Sequence, residues 1–115
     1  MEQLQEVDIA YLAGLFDGEG TAFIHKHIDK RHGSIYFEAR VKISNTDKQS
    51  LQTIREKLGF GTIQVEGNGR KGQRESYRLS INKKKDMEQF LTMVKPFVIM
   101  KKKEVDEVLV FLLKD

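Results

Sequence analysis

A stripe of small residues in the first predicted helix constrains the fold of this chain more than any other sequence feature. In a helix over residues 9–18, the spacing i, i+3, i+4, i+7 and i+8 places five residues on one face, namely Ala10, Ala13, Gly14, Asp17 and Gly18. Three glycines within residues 14–20 cost helix stability unless a close contact offsets that cost. Small side chains allow such a contact, because they let two helix backbones approach more closely than the usual distance of about 8–10 Å.

The same helix carries a second, bulky stripe formed by Ile9, Leu12 and Phe16, which can anchor it to its own sheet. The helix therefore has two packing faces, and the small-residue face needs a neighbouring helix. The chain contains only one helix of this kind. We therefore expect the neighbour to be the same helix of a second copy, related by a two-fold axis in a homodimer.

Periodicity and turn residues predict the order αββαββαα for the whole chain. Helices are expected over about 9–18, 47–58, 87–95 and 102–114, and strands over about 21–28, 35–43, 61–66 and 75–81. Expected helix caps are Asp8, Thr46 (with Gln49 in a capping box) and Asp86, and glycines end the first two helices. Residues 67–72 read as a hairpin loop. The expected fold is one α+β domain over residues 1–115, with helices on one face of an antiparallel four-stranded saddle-shaped sheet.

Charge and composition narrow the class of protein. Residues 1–20 hold five acidic residues and no Lys or Arg, so the remainder carries 20 basic and 12 acidic residues. This imbalance fits either a nucleic-acid-binding surface or an ordinary solvated one. The chain has no cysteine, which excludes disulfides and Cys-ligated zinc. With no long apolar run and an acidic, polar N-terminus, we expect no membrane association and no secretion, but an intracellular location in cytoplasm, nucleoid or organelle matrix.

The segment Leu12-Ala13-Gly14-Leu15-Phe16-Asp17-Gly18-Glu19-Gly20 resembles the LAGLIDADG signature of homing endonucleases, with six of nine letters identical. Chain length and element order also suit one domain of that family. The resemblance implies a homodimer of the single-motif type that cleaves both strands of a long, pseudo-palindromic double-stranded DNA site by metal-dependent hydrolysis. Members of the family are encoded in mobile introns or inteins.

The resemblance also implies the active-site residues. Glu19 stands at the position of the metal-binding carboxylate, and the backbone carbonyl of Gly18 is an expected helper. Two such carboxylates brought together in a dimer would repel each other without a divalent cation, and Mg²⁺ prefers oxygen ligands. Asn45 occupies the place of a polar residue that orients water, although it reads equally well as a turn residue. Lys101, in the segment Lys95–Lys101, matches an active-site lysine, with a solvated lysine run as the alternative.

Side chains on the outward face of the predicted strands are candidates for DNA contact, because polar groups on a curved sheet can pair with base edges in the major groove. These are Thr21, Phe23, His25, His27, Glu38, Arg40, Lys42, Thr62, Gln64, Glu66, Ser76, Arg78 and Ser80. Each of them could equally contact phosphate, water or nothing. The His25-Lys26-His27 sequence has the spacing of a metal site, but it lacks a third ligand.

Two other functions remain open for a chain of this fold. One is a maturase, which binds intron RNA and aids splicing, and the other is a DNA-binding regulator without catalysis. Retention of Glu19, Asn45 and Lys101 favours cleavage, although it is compatible with a second role in RNA binding.

Overall fold

The computed structural model describes residues 4–68 and 74–114, which form four helices and four strands. The predicted α+β class and the order αββαββαα are confirmed. The elements are α1 (Glu6–Glu19), β1 (Gly20–Asp29), β2 (Ser34–Asn45), α2 (Lys48–Leu58), β3 (Thr62–Asn68), β4 (Glu75–Ile81), α3 (Lys84–Val94) and α4 (Lys102–Leu113).

The start of α1 differs from the prediction. The helix begins at Glu6, three residues earlier than expected, and Gln5 is its N-cap residue. The Gln5 backbone N–H donates to Asp8 Oδ2 at 3.0 Å, so Asp8 lies within the first turn and does not cap the helix. The predicted cap was wrong because acidic residues are favoured both at the N-cap and at the third helical position. At the third position, the carboxylate can accept the backbone N–H of the N-cap residue and can interact with the positive end of the helix dipole.

The starts of α2 and α3 were also misplaced. Asp47 caps α2, since its Oδ1 accepts the Ser50 backbone N–H at 3.1 Å, so the predicted Thr46 capping box is wrong. Helix α3 begins at Lys84, which places Asp86 in its first turn. The helix ends were more predictable, because Gly59 ends α2 in a left-handed conformation (φ +82°) and α3 ends before Pro96.

The four strands form one antiparallel sheet in the order β1-β2-β4-β3. Strands β1 and β2 pair over ten positions, from Gly20 opposite Ile43 to Asp29 opposite Ser34. The β2–β4 and β3–β4 pairs are shorter, and the register of β3–β4 shifts between Val65 and Gly67. Strand β3 extends to Asn68, so part of the predicted loop is strand, while residues 69–72 of that loop lie outside the described residues.

The core lies between one face of the sheet and the helices. Val41, Ile43, Leu79 and Ile81 cover the sheet side. The helix side includes Leu12, Phe16, Leu51, Phe90, Leu91, Val105, Val108 and Leu112. Helical spacing in the sequence predicts an apolar stripe on α4 formed by Val105, Val108, Leu109 and Leu112, and all four side chains are buried. Among the described residues, the helices are all too short or too polar to cross a membrane.

Candidate active site and nucleic-acid interface

The junction of α1 and β1 positions Glu19. Glu19 is the last residue of the helix, and Gly20, which follows in extended conformation, already belongs to the sheet. A Cβ atom at Gly20 would overlap the ring of Phe16, so the helix can run straight into the strand only with glycine here. Glu19 was expected just beyond the helix end. The structure instead places it in the last turn, with its side chain exposed on the polar side of the junction.

An open cleft of about 240 Å³ lies beside this junction. It is lined by Glu19, Ser44, Asn45, Thr46 and Ser76. The fold thus brings Glu19 and Asn45, which are far apart in sequence, to one site. Sequence reasoning missed Ser44 and had Ser76 only as a possible DNA contact. The signal for Ser44 was its position next to Asn45 at the end of an alternating strand.

Asn45 has a local structural role within this cleft. Its Oδ1 accepts the Asp47 backbone N–H at 2.9 Å, which is the hydrogen bond expected of a turn residue. The amide group carries two further donor hydrogens on Nδ2. The turn interaction therefore fixes the side chain and leaves its nitrogen as the donor, so the two interpretations of Asn45 are compatible.

Lys101 lies against the C-terminal end of α1. Its Nζ donates to the backbone carbonyl of Asp17 at 3.3 Å, two residues before Glu19. A cation is stabilised at this position by the negative end of the helix dipole. Lys102 and Lys103 are exposed, so only the first lysine of the run is held at the site.

Asp17 binds the segment that leads into Lys101. Its Oδ2 accepts the Ile99 backbone N–H at 2.8 Å, and its Oδ1 accepts the Lys101 backbone N–H at 3.0 Å. Desolvation opposes ionisation of this carboxyl, but the backbone hydrogen bonds from Ile99, Lys101 and Met100 outweigh it and lower the Asp17 pKa. Helical spacing predicts Asp17 on the helix face that meets a second copy. The structure shows that its carboxylate faces its own chain.

The oxygen atoms available as ligands at the junction suit a hard divalent cation. The cleft presents the Glu19 carboxylate together with hydroxyl and amide oxygens, which are the ligand types that Mg²⁺ prefers. Within residues 4–68 and 74–114, no three His, Asp or Glu side chains lie close enough together to form a metal site. Among the described residues that line the cleft, Glu19 is the one carboxylate, so a second Glu19 or a phosphate would be needed to complete the coordination. The His25-Lys26-His27 segment likewise gains no third ligand.

The exposed face of α1 differs in part from the predicted small-residue stripe. Ala13 is fully buried in the core of its own chain, so it has no surface to offer a partner. Ala10, Gly14 and Gly18 are exposed, and a Cβ atom built on either glycine meets nothing within 4 Å. The fold of one chain therefore does not require these glycines. Val7 and Tyr11, which are 76% and 63% exposed, also lie on this helix surface and were missed.

The sheet face opposite the helices carries the predicted DNA-reading residues. In the β1–β2 pair, Thr21 lies opposite Lys42 and Phe23 lies opposite Arg40. The same face continues onto β4, where Ser80 lies opposite Lys42, and onto β3, where Gln64 lies opposite Arg78. A concavity of about 360 Å³ lies on this face, lined by residues that include Phe23, Arg40, Lys42, Gln64, Arg78 and Asn82. Ser80 is only 9% exposed and is the least accessible of the predicted contacts.

Cations on this face are held by neighbouring acceptors. Lys42 Nζ lies 2.8 Å from Glu66 Oε2, and Arg40 Nε lies 3.0 Å from Glu38 Oε1. Arg78 donates from Nε and Nη2 to the Oε1 atom of Gln64, at 3.2 and 3.0 Å. The hydrogen bond from Lys42 is the main cause of a lowered Glu66 pKa. These pairs orient the cations across a surface that is otherwise open.

A row of aromatic and imidazole rings runs along the same face of β1 and β2, toward the turn that joins these strands. Phe23 and His25 meet edge to face with centroids 6.3 Å apart, His25 and His27 at 4.4 Å, and His27 stacks on Tyr36 at 4.6 Å with an interplanar angle of 10°. His27 Nε2 also lies 3.4 Å from Glu38 Oε1. Tyr36 was missed, although it has the same strand parity as Glu38.

Comparison with known proteins gives a consistent result. The model of the LAGLIDADG endonuclease family matches residues 12–110. No curated protein sequence matches the chain. Among solved structures, the homing endonuclease I-CvuI, in complex with the I-CreI target in the presence of 2 mM Mg with the DNA not cleaved, is 17% identical with a TM-score of 0.79, and the match covers 93% of this chain and 66% of that one.

Two further crystal structures share the fold. The archaeal intron-encoded homing endonuclease I-Vdi141I, complexed with DNA, is 20% identical with a TM-score of 0.77, over 93% of this chain and 67% of that one. The group I intron-encoded homing endonuclease I-CeuI, also complexed with DNA, is 17% identical with a TM-score of 0.75, over 97% and 56%. The chain thus spans about two thirds or less of the length of these proteins, and at such identities the likeness concerns the fold.

Proposed function

Because this chain belongs to the LAGLIDADG endonuclease family, we propose that it is a homodimeric homing endonuclease that cleaves both strands of a long, pseudo-palindromic DNA duplex with the help of Mg²⁺. One observation carries the proposal. Glu19 and Asn45, which are far apart in sequence, line one cleft at the C-terminal end of α1, and the Lys101 ammonium contacts the same helix end at the Asp17 carbonyl. That helix end leads directly into β1 of the cation-bearing sheet.

The sheet face supports binding to duplex DNA. Arg40, Lys42 and Arg78 stand on one concave surface, and their guanidinium and ammonium groups can contact phosphates or guanine edges. The neutral Gln64 side chain holds Arg78 in place, which lowers the conformational entropy that Arg78 loses on binding. A two-stranded β-ribbon fits into a major groove, and this sheet contains two such hairpins, β1–β2 and β3–β4.

Homodimerisation is supported by the exposed face of α1. Gly14 and Gly18 leave room that nothing in the same chain fills, which is the arrangement needed for close approach of two helix backbones. Val7 and Tyr11 add apolar surface beside them. A two-fold axis along this face would bring the two Glu19 side chains near each other, one for each DNA strand.

The chemistry at the junction divides among three side chains. Glu19, with the Gly18 carbonyl beside it, would hold a divalent cation between protein and phosphate. Such a cation supplies an activated water and stabilises charge at the leaving oxygen. The Asn45 amide would orient water by donating from Nδ2. The Lys101 ammonium would offset negative charge at the scissile phosphate, where preorganised donors act most strongly.

The test is cleavage of a randomised duplex library in the presence of Mg²⁺, followed by sequencing of the cut ends. We expect a preferred, partly symmetric site cut on both strands. Glu19→Gln keeps the size of the side chain but loses its charge, so cleavage of that site should fall by orders of magnitude while binding survives. Glu6→Gln makes the same chemical change at the exposed first turn of α1 and should cleave normally. Site-specific binding without any cleavage by the unmodified protein would instead support a regulator.

A further inference from the structure

The segment that delivers Lys101 to the junction has little packing of its own. The side chains of Ile99 and Met100 are 81% and 75% exposed, and α4 does not begin until Lys102. Val98, the residue before them, is the last buried anchor of the preceding turn. The position of the backbone at residues 99–101 therefore depends on something other than burial of its side chains.

Asp17 supplies that restraint from α1. Both of its carboxylate oxygens accept backbone N–H groups of the segment, from Ile99 at 2.8 Å and from Lys101 at 3.0 Å. The carbonyl of the same residue accepts the Lys101 Nζ at 3.3 Å. One residue thus fixes both the main chain and the charged end of the side chain of Lys101.

The restraint starts from the helix that also carries Glu19. Asp17 is two residues before Glu19 in a continuous helix, so its backbone has a fixed position relative to that of Glu19. Charge-assisted hydrogen bonds are shorter and stronger than neutral ones, which makes a carboxylate the effective acceptor here. A displacement of about 1 Å at a reacting centre can cost about a hundredfold in rate.

We propose that Asp17 is a positioning residue that holds Lys101 at the scissile phosphate by tying residues 99–101 to the end of α1. This inference rests on the proposed function of the junction. Asp17 does not contact the DNA in this role, and its effect on cleavage is exerted through Lys101. The carboxylate charge is needed because an amide offers one acceptor oxygen to two N–H donors and would turn its own N–H₂ toward the other.

The test is a double-mutant cycle in the full chain, measured as single-turnover cleavage with protein in excess. Asp17→Asn should lower the cleavage rate about ten- to a hundredfold with little change in DNA affinity. Lys101→Met should lower the rate further, and adding Asp17→Asn to it should have no additional effect. If the two losses multiply, Asp17 does not act through Lys101 and the proposal is overturned.

Matched controls separate positioning from general stability. Asp8→Asn changes another carboxylate of α1 that also accepts a backbone N–H, at 3.0 Å from Gln5, and it should cleave at the normal rate. Asp17→Glu retains the charge and should recover part of the rate. If Asp17→Asn fails to fold, the cycle is run with Asp17→Glu, and multiplication of the two losses again overturns the proposal.

Amide hydrogen exchange reads the restraint without activity. Exchange at Ile99 and Lys101 should become faster in Asp17→Asn and stay slow in Asp8→Asn. Unchanged exchange would overturn the proposal even if cleavage fell. If the unmodified protein cuts no DNA, the proposed function fails and the positioning role fails with it, whereas normal cleavage with uncoupled losses removes the positioning role alone.

Discussion

The two ends of the β1–β2 hairpin are made by the same strands but are held in different ways. At the base, Ala22, Val41 and Ile43 are buried beneath the helices. At the outer end, Ile28, Ile35 and Phe37 on the same side of the strands are 54–62% exposed. The helix layer covers only the base, so the outer end depends on cross-strand pairing and on the turn at residues 30–33.

The difference in packing between the base and the outer end suits the two ends to different functions. Glu19 and Asn45 adjoin the base, where close packing leaves few alternative positions for the backbone. The row of rings and the Arg40–Glu38 pair lie on the outer half, where side chains contact mainly one another. Side chains of the outer half can therefore change with little effect on the core, which suits a surface that selects DNA sequence, whereas the base suits chemistry that tolerates little movement.

The largest expected effect contrasts two phenylalanines. Phe16 is fully buried and meets Phe90 edge to face at 5.5 Å, so Phe16→Ala should destabilise the fold by about 3–5 kcal/mol. Phe37 is 54% exposed on the outer half, and Phe37→Ala should change stability by about 0.5 kcal/mol or less. Urea unfolding measures both. Similar losses at the two positions would show that the outer half belongs to the same cooperative core.

The next effect concerns DNA affinity. Arg40→Ala should weaken binding to the preferred site by about 1–3 kcal/mol if the guanidinium pairs with a base, and should weaken binding to random duplex less. Equal losses on both duplexes would identify a phosphate contact. Lys26→Ala is the matched control, because Lys26 is an exposed cation of the same hairpin that points to the helix side. Its removal should change neither affinity nor stability appreciably.

Some features of the fold could be predicted from the sequence, and others could not. Strand alternation and helix periodicity are repeated over many residues, so the element order and the faces of β2 and α4 were predictable. Helix starts were not, because Asp8 and Asp86 stabilise a first turn from inside it as well as from its cap. Local sequence patterns do not indicate which residues come into contact only after folding.

For the candidate site, the motif located Glu19, but not what surrounds it. The capture of residues 99–101 by Asp17 joins positions more than eighty residues apart, and no local pattern encodes it. Ala13 was placed on the small-residue face by helical spacing alone. Helical spacing does not show which side of a narrow stripe the core covers. The packing of α3 and the sheet against α1 determines which side is buried.

Acid should affect the two ends of the hairpin unequally. Asp47, beside the base, accepts hydrogen bonds from the side chain and backbone of Ser50, and these lower its pKa. Asp29, at the outer turn, has its pKa lowered by His32 and then by the backbone of Arg31. For both, the folded pKa lies below the ordinary value, so the stabilisation is fully present above about pH 4 and is lost as pH falls through the folded pKa.

Alanine variants expose that difference. Asp47→Ala should lower the urea midpoint at pH 7 more than Asp29→Ala does, because α2 carries the core residues Leu51 and Ile54 whereas the outer turn carries none. At pH 3, which is below the ordinary pKa of an aspartate, part of this stabilisation is already lost in the unmodified protein, so each variant should differ from it less than at pH 7. A difference for Asp47→Ala that is as large at pH 3 as at pH 7 would contradict a role for its charge.

The smallest effect concerns two acids on the proposed DNA-binding face of the sheet. Glu66 holds Lys42 near the base and its side chain is 25% exposed, whereas Glu38 holds Arg40 on the outer half and is 51% exposed. Removing either charge should strengthen binding to random duplex, because repulsion from phosphates is lost and a cation is released. Ions in solvent screen the outer pair more effectively, so Glu66→Gln should raise affinity a few-fold and Glu38→Gln less. Freeing one more cation per subunit should steepen the log–log salt dependence by up to about one for each subunit of the dimer. Titrations of random duplex at several salt concentrations measure both the affinity and its salt dependence. A larger gain in affinity for Glu38→Gln than for Glu66→Gln would show that the outer half holds its cation more tightly than the base does.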